Sequence, residues 1–419
     1  MKGAPLLIPL LWMAGGSASA GTDATTNADI PAFAIDGSAR AGYFSASREL
    51  DGVHNLETTS VWLKSVLGPT RGISLVADGW LRNDDSLQGR AFRGQVNDAY
   101  LNFDMEQAHV RLGKQIIAWG RADSINPTDN LTPHNYTILT PDDDDERSGT
   151  VAALVALRAH GTALTAIWLP QFNPSVLPLP TLPGGHYIEQ SVHTNEYAIK
   201  LDRSDGGVDW SLSYFNGREL FPQLSAGGRE VAANDVLLAH NRVRVLGMDA
   251  ATVVGRFGLR AEAAYTWTSN GVPGEPFTER PFFYMVAGTD RTFFEYFNLN
   301  LQLYLRHVTG YQDPRNIPDA AVRALAIDDA ILEYQLVRSE EGLTARLDNK
   351  WLNETLDGEI AAAYSLSLHD YVIKPKVSYA FTDRLKGTVG ANVYRGSDTT
   401  FFGVLRDISS VFVEMKYSF

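Results

Sequence analysis

Residues 411–419 read Val-Phe-Val-Glu-Met-Lys-Tyr-Ser-Phe, which sets Val411, Val413, Met415, Tyr417 and Phe419 on one face of an extended strand and Glu414, Lys416 and Ser418 on the other. A water-soluble sheet that left such a strand at its edge would expose unpaired backbone groups beside a greasy face. A sheet closed on itself and set in lipid has no such edge: the apolar face meets hydrocarbon and the polar face lines a lumen. The same period of two recurs at 297–306, where Phe297, Leu299, Leu301, Leu303 and Leu305 alternate with Asn298, Asn300, Gln302, Tyr304 and Arg306. It returns at 208–214, 259–268, 360–369 and 371–381. Helices, with a period of 3.6, do not produce this pattern.

Composition narrows the class. Apolar residues make up 44% of the chain, yet beyond its first residues there is no run of the ~20 that a spanning helix needs. The absence of cysteine removes disulfide and thiolate-metal chemistry. A net charge of −13 argues against nucleic acid, whose phosphates require a basic stripe. At the start, Met1 and Lys2, the apolar stretch 5–14 and Ala18-Ser19-Ala20 have the layout of a secretory signal peptide. The expected organisation is a signal peptide at 1–20, a short periplasmic segment at 21–32 and a barrel at 33–419.

Turn chemistry marks short connections at 68–72, 160–161, 204–207, 255–258, 357–358 and 383–387. Longer connections fall between them, at 83–94, 120–149, 170–190, 216–235, 270–281, 309–342 and 397–409. The expected fold is therefore all-β: a transmembrane antiparallel β-barrel of about 18 strands, with long extracellular loops and short periplasmic turns. The count becomes about 16 if the weakly alternating stretch 150–169 is not a hairpin. Within one long connection, 317–337 has apolar spacing nearer 3.6 than 2, a helix signal.

Terminal strands that end in Phe, as this one does at Phe419, resemble the assembly signal of Gram-negative outer-membrane barrels. A further resemblance lies in Leu112-Gly113-Lys114-Gln115 followed by the W-G-x-x-D run Trp119-Gly120-Arg121-Ala122-Asp123. This strand and its exit are similar to those of porin-type barrels, including the alginate-export-like and phosphate-selective groups. The resemblance implies that the long loop 120–149 folds into the lumen and narrows it. Pore-lining roles are expected for Trp119, Arg121 and Asp123, and the sequence leaves monomer and trimer equally open, because a subunit-facing apolar strand reads like a lipid-facing one.

Alternation assigns other lumen-facing charges: Arg40, Lys64, Arg82, Arg111, Lys200, Arg242, Arg244, Arg260, Arg306, Arg346, Lys350, Lys374 and Lys376 against Asp36, Asp78, Asp98, Glu196, Asp202, Asp209, Glu262 and Asp348. Such a wall leans basic, and charge rings of this kind set ion preference, here toward anions; the alternative is that the charges pair as cross-strand salt bridges that hold the lumen open. Trp80, Trp119 and Tyr304 are expected to point inward, and Tyr43, Trp210, Tyr214, Tyr265, Trp267, Tyr364, Tyr379 and Tyr417 outward. Asp142, Asp143, Asp144 and Asp145, followed by Glu146, are candidates for a calcium or magnesium site because hard cations take oxygen ligands, but the run lacks the spacing of a dedicated loop and a solvated charge run is the alternative. The sequence has no G-x-S-x-G elbow and no H-E-x-x-H pair, so no enzyme and no cofactor is expected.

The function these features point to is passive, substrate-selective diffusion of small solutes through a loop-narrowed channel in the outer membrane. Expected partners are outer-membrane lipid and lipopolysaccharide, the barrel-assembly machinery through Phe419, and the solutes themselves. The alternatives are a plugged barrel acting as a scaffold in an export or electron-transfer assembly, or an uptake protein for hydrophobic compounds.

Overall fold

The computed structural model describes residues 33–419 except 51–52, 71, 87–88, 180–181, 183, 226–234 and 270–276. The expected signal peptide and periplasmic segment lie outside the described residues. In chain order the strands are β1 Phe33–Leu50, β2 Val53–Thr70, β3 Ile73–Ser86, β4 Gly89–Asp104, β5 Ala108–Gln115, β6 Thr150–Ala159, β7 Thr162–Leu169, β8 Tyr187–Glu189, β9 Glu196–Arg203 and β10 Val208–Arg218. They continue with β11 Gln223–Ser225, β12 Val236–Ala239, β13 Arg242–Val254, β14 Phe257–Ser269, β15 Phe282–Phe293, β16 Phe297–Val308, β17 Ser339–Trp351, β18 Leu356–Ser365, β19 Tyr371–Ala380, β20 Leu385–Arg395 and β21 Ser410–Ser418. Helix α1 spans Ala320–Leu332, within the helical spacing seen in the sequence, and a short α2 spans Phe401–Val404. No helix among the described residues is long and apolar enough to cross a membrane.

Eighteen strands form one antiparallel barrel. β8, β11 and β12 stand apart as a small sheet in the connections. The barrel closes where β21 pairs with β1, with Tyr417 opposite Ala39 and Val413 opposite Tyr43. Apolar side chains such as Leu63, Leu112, Ile199, Leu303 and Val413 stand exposed on the outer face. That belt fits lipid rather than water.

All the long connections lie at one end of the barrel, the loop end, where β1 to β2, β3 to β4 and β18 to β19 are joined by short ones; the connections at the other end are all short. Two readings of the connections are corrected. The stretch 83–94 is not a long loop, because β3 runs on to Ser86 and β4 resumes at Gly89. The turn placed at 357–358 falls at 352–355 instead, where Leu352, Asn353 and Glu354 all have positive φ, while Asp357 and Gly358 pair within β18. The Asp-Gly dipeptide misled because three consecutive non-glycine residues adopt the left-handed region, for which the sequence gives no cue.

Candidate functional site: a loop strung across the lumen

The chain leaves the sheet at the end of β5, where the sequence carries its most distinctive residues. Gly113 has φ of 134°, and a Cβ there would meet the Ala99 carbonyl oxygen at 2.3 Å, so only glycine lets β5 lie this close to β4. Gln115 is fully buried and its amide donates to the Ala152 carbonyl at 3.1 Å. The next N–H, of Ile116, turns from the ladder to the Asp98 carboxylate at 2.9 Å. From there the connection enters the barrel.

Its first contact is apolar. Ile117, Trp119 and Leu131 pack against inward side chains of β6 to β14, including Ala152, Leu154, Ile167, Ala198, Phe215, Val243 and Val245. Gly120, at φ 100°, then turns the backbone so closely over β14 that a Cβ would sit 2.7 Å from the Glu262 carboxylate. Glu262 accepts the N–H groups of Arg121 and Ala122, the latter at 2.5 Å, and the Thr128 hydroxyl at 3.1 Å. Arg121 donates from Nε to Asp249 at 2.5 Å, with Asp202 at 3.6 Å and Asp209 at 3.9 Å. One side of the loop is thus both greased and bolted to the wall.

The other side crosses the lumen on ion pairs. Asp123 meets Arg346 of β17 at 3.3 Å, Asp143 meets Lys374 of β19 at 3.0 Å, Asp142 lies 3.9 Å from Lys376, and Asp145 meets Arg40 of β1 at 2.6 Å. Arg147, next in sequence, braces the turn by bonding Asp144 and Asp129, both at 3.2 Å. Between this acidic turn and the β17–β21 and β1–β4 wall lies a cavity of about 600 Å³, lined also by Trp62, Trp80, Asp78, Asp98, Glu359 and Lys416. The Arg40 guanidinium lies 4.8 Å above the Trp80 ring.

Which charges a solute would meet follows from exposure. The side chains of Asp142 and Asp144 are 49% and 54% exposed, those of Arg40 and Lys374 only 8% and 13%. Burial raises the Asp143 carboxyl, opposed by Lys374, and raises Glu146 well above its ordinary range with Asp143 adding to the rise. His134, buried beside Arg147, is pushed down to about 3. The acidic run is therefore not a freely solvated charge run. Asp142, Asp143 and Asp145 are directed to basic side chains of the wall and Asp144 to Arg147 of the loop, and the carboxylates that converge on a common point among the described residues are others.

The remaining residues singled out from the sequence separate into three groups. Arg111 faces inward near the turn end, bonded to His109 at 2.9 Å and stacked over Tyr100. Arg260 also faces inward, 3.1 Å from Asp290. Arg306 points inward but is covered, 3.7 Å above the Phe282 ring. Arg242 and Arg244 are corrections: they share the outward face of β13 with Leu246 and Met248, while Val243 and Val245 point in. Reading the valines as lipid-facing set the parity wrong by one. At the loop end of a strand an outward arginine lies at headgroup depth, where charge is tolerated, and the valines are buried by the loop. Asp249, on that inward face, was missed for the same reason. The parity set further along by Leu246 and Met248 would have found it.

A closed antiparallel barrel whose fifth strand sends its connection inward defines a porin-type architecture. Neither a family model nor a curated protein matches the sequence. Among solved structures, the chain is similar in fold to Pseudomonas aeruginosa OccK5 (TM-score 0.55, 11% identity, 92% of this chain and 97% of that one). It is also similar to P. aeruginosa OccD3 (TM-score 0.56, 10% identity, 93% and 91%). A third is Acinetobacter baumannii OccAB1 (TM-score 0.55, 9% identity, 92% and 96%).

Proposed function

We propose that this chain is an outer-membrane porin, a passive channel in which solutes pass between the acidic turn 142–146 and the basic inner wall, with the loop end extracellular and the turns periplasmic. The observation that carries the reading is the cavity beside the lumen-spanning loop, lined by fixed charges of both signs. Arg111, Trp119, Arg121, Asp123, Arg260, Arg306, Lys374 and Lys376 then divide into residues that shape the loop and residues that meet the solute. Lys376, the more exposed of the two lysines, belongs to the second set, and Lys374, paired with Asp143, to the first. The half-exposed carboxylates outweigh the paired cations, so the preference is for cations, in place of the anion preference that the wall alone suggested. The grouping with alginate-export-like or phosphate-selective porins rests on the motif at 112–123, and an acid-lined passage disfavours both kinds of anion. Lipopolysaccharide would meet the outward Arg242 and Arg244, and the assembly machinery would take Phe419.

Reconstitution in a planar bilayer tests the reading. Discrete conductance steps with a cation-selective reversal potential are expected, and changing Asp142, Asp143, Asp144 and Asp145 together to Asn should carry the preference toward anions. A folded barrel that never conducts would overturn the channel and favour the plugged scaffold.

A further inference from the structure

Away from the charged passage, at the loop end, three glutamates from three different connections converge. Glu219 follows β10, Glu279 precedes β15, and Glu333 caps the C-terminal end of α1. One carboxylate oxygen from each lies within 4.8 Å of the other two. The Glu279 side chain is 0% exposed, and no N–H or hydroxyl donates to either of its oxygens or to Oε1 of Glu333; the hydrogen-bonding neighbour of Glu279 is the Glu333 carboxyl itself. Arg306 reaches the group with its Nη2 3.7 Å from Glu279. Asp329, one turn before Glu333 on α1, is buried and spends Oδ1 on the Leu224 N–H at 2.6 Å. Acid thus outnumbers base in a place that water screens poorly.

Such a cluster is relieved either by protons shared among the carboxyls or by a cation. The three oxygens lie close enough together for one ion to bond all of them at about the 2.3–2.6 Å of calcium, and calcium, unlike magnesium, accepts the irregular geometry that three separate connections supply. Room for water ligands and a way in lie on both sides: a cavity of about 190 Å³ is bordered by Glu219 and Glu333, and one of about 460 Å³ by Glu279, Asp329 and Glu333. All-oxygen donors contributed by separate segments suit a hard divalent cation, which needs six to eight such ligands and takes the remainder from water.

We propose that Glu219, Glu279 and Glu333 form a calcium-class divalent cation site that clips three connections together at the loop end of the barrel. The site shares no ligand with the acidic turn 142–146 and stands whether or not the barrel conducts.

The test is equilibrium binding of radioactive calcium to the full-length protein in detergent micelles after chelator treatment. One ion per chain is expected, with Kd of about 10⁻⁴–10⁻³ M, the range of extracellular modules. Glu279→Gln with Glu333→Gln should weaken binding about 100-fold or more, because carboxylate count sets affinity. The four-Asn variant of residues 142–145 should bind as the parent does. Should the double variant fail to fold, Glu219→Gln, at the least buried of the three positions, should still weaken binding about tenfold. No saturable binding up to ~10 mM free calcium, well above the weakest such sites, would overturn the proposal in favour of shared protons. So would full binding by Glu219→Gln, or loss of binding in the four-Asn variant.

Discussion

The two inner walls of this barrel are made from the same alternating strands and are finished in opposite ways. From β6 to β14 the inward positions include Leu154, Ile167, Ala198, Phe215 and Val245, and the loop covers them with Ile117, Trp119 and Leu131. From β17 through β21 to β4 the inward positions include Arg346, Lys374, Lys376, Lys416 and Arg40, and they face a cavity. The lesson concerns covers. An apolar side chain on the lumen side of a barrel would otherwise meet water, so a greasy inner wall marks where something must lie against it. Burying each large apolar side chain contributes about 1.5–3 kcal/mol, whereas largely buried ion pairs such as Asp145–Arg40 and Asp123–Arg346 lose much of their attraction to the cost of desolvating both charges. The loop is therefore held from the apolar side and merely steered from the charged side.

The sharpest way to break this comparison is to remove the cover. Replacing 118–147 by a short Gly-Ser linker should raise single-channel conductance several-fold, since the loop lies inside the barrel and contacts both walls; unchanged conductance would mean the passage lies elsewhere. Next in size, Glu262→Ala strips the acceptor from two N–H groups at the loop's anchor and should cost about 1–3 kcal/mol in thermal or denaturant unfolding. Lys376→Met on the charged wall should cost less than about 1 kcal/mol, because Lys376 is partly exposed. If the two variants are equally destabilised, the loop is not held asymmetrically. Acidification should weaken cation preference earlier than ordinary carboxylates would. Burial raises Asp143 and Glu146, so they take up protons as pH falls while carboxyls in the usual range remain charged. Reversal potentials measured across a pH series would check the sign. Smallest of all, Arg242→Ala with Arg244→Ala should leave ion selectivity unchanged, because both side chains point away from the lumen; a shift would reverse the parity assigned to β13.

Much of the architecture was legible because lipid on one side and water on the other force a period of two, and strands such as 297–306 carry it without a break. What failed did so where that contrast lapses. On β13, Val243 and Val245 face a covered wall rather than open water, so hydrophobicity stopped distinguishing inside from outside. At 352–355 the turn is made by Leu, Asn and Glu in left-handed geometry, invisible to a search for glycine. The inward loop was legible only through resemblance, yet its physical causes were present in the sequence as Gly113 and Gly120, whose missing side chains admit Ala99 and Glu262. The pairing of the acidic run with Arg40, Lys374 and Lys376 joins residues more than a hundred positions apart, which spacing alone cannot reveal.

The seam between the first and last strands also constrains timing. Gly37 and Phe419 exchange backbone hydrogen bonds of 3.0 Å in both directions, although they stand 382 residues apart in the chain (419 − 37). Contacts this distant carry the largest loop-closure cost and form late. Hairpin after hairpin can accumulate from the start of the sequence, but the ribbon keeps two bare edges until its final residues arrive, and bare edges recruit other chains. The cylinder is thus all or nothing with respect to its last strand: losing a few terminal residues should yield an open, aggregation-prone sheet rather than a slightly weaker barrel.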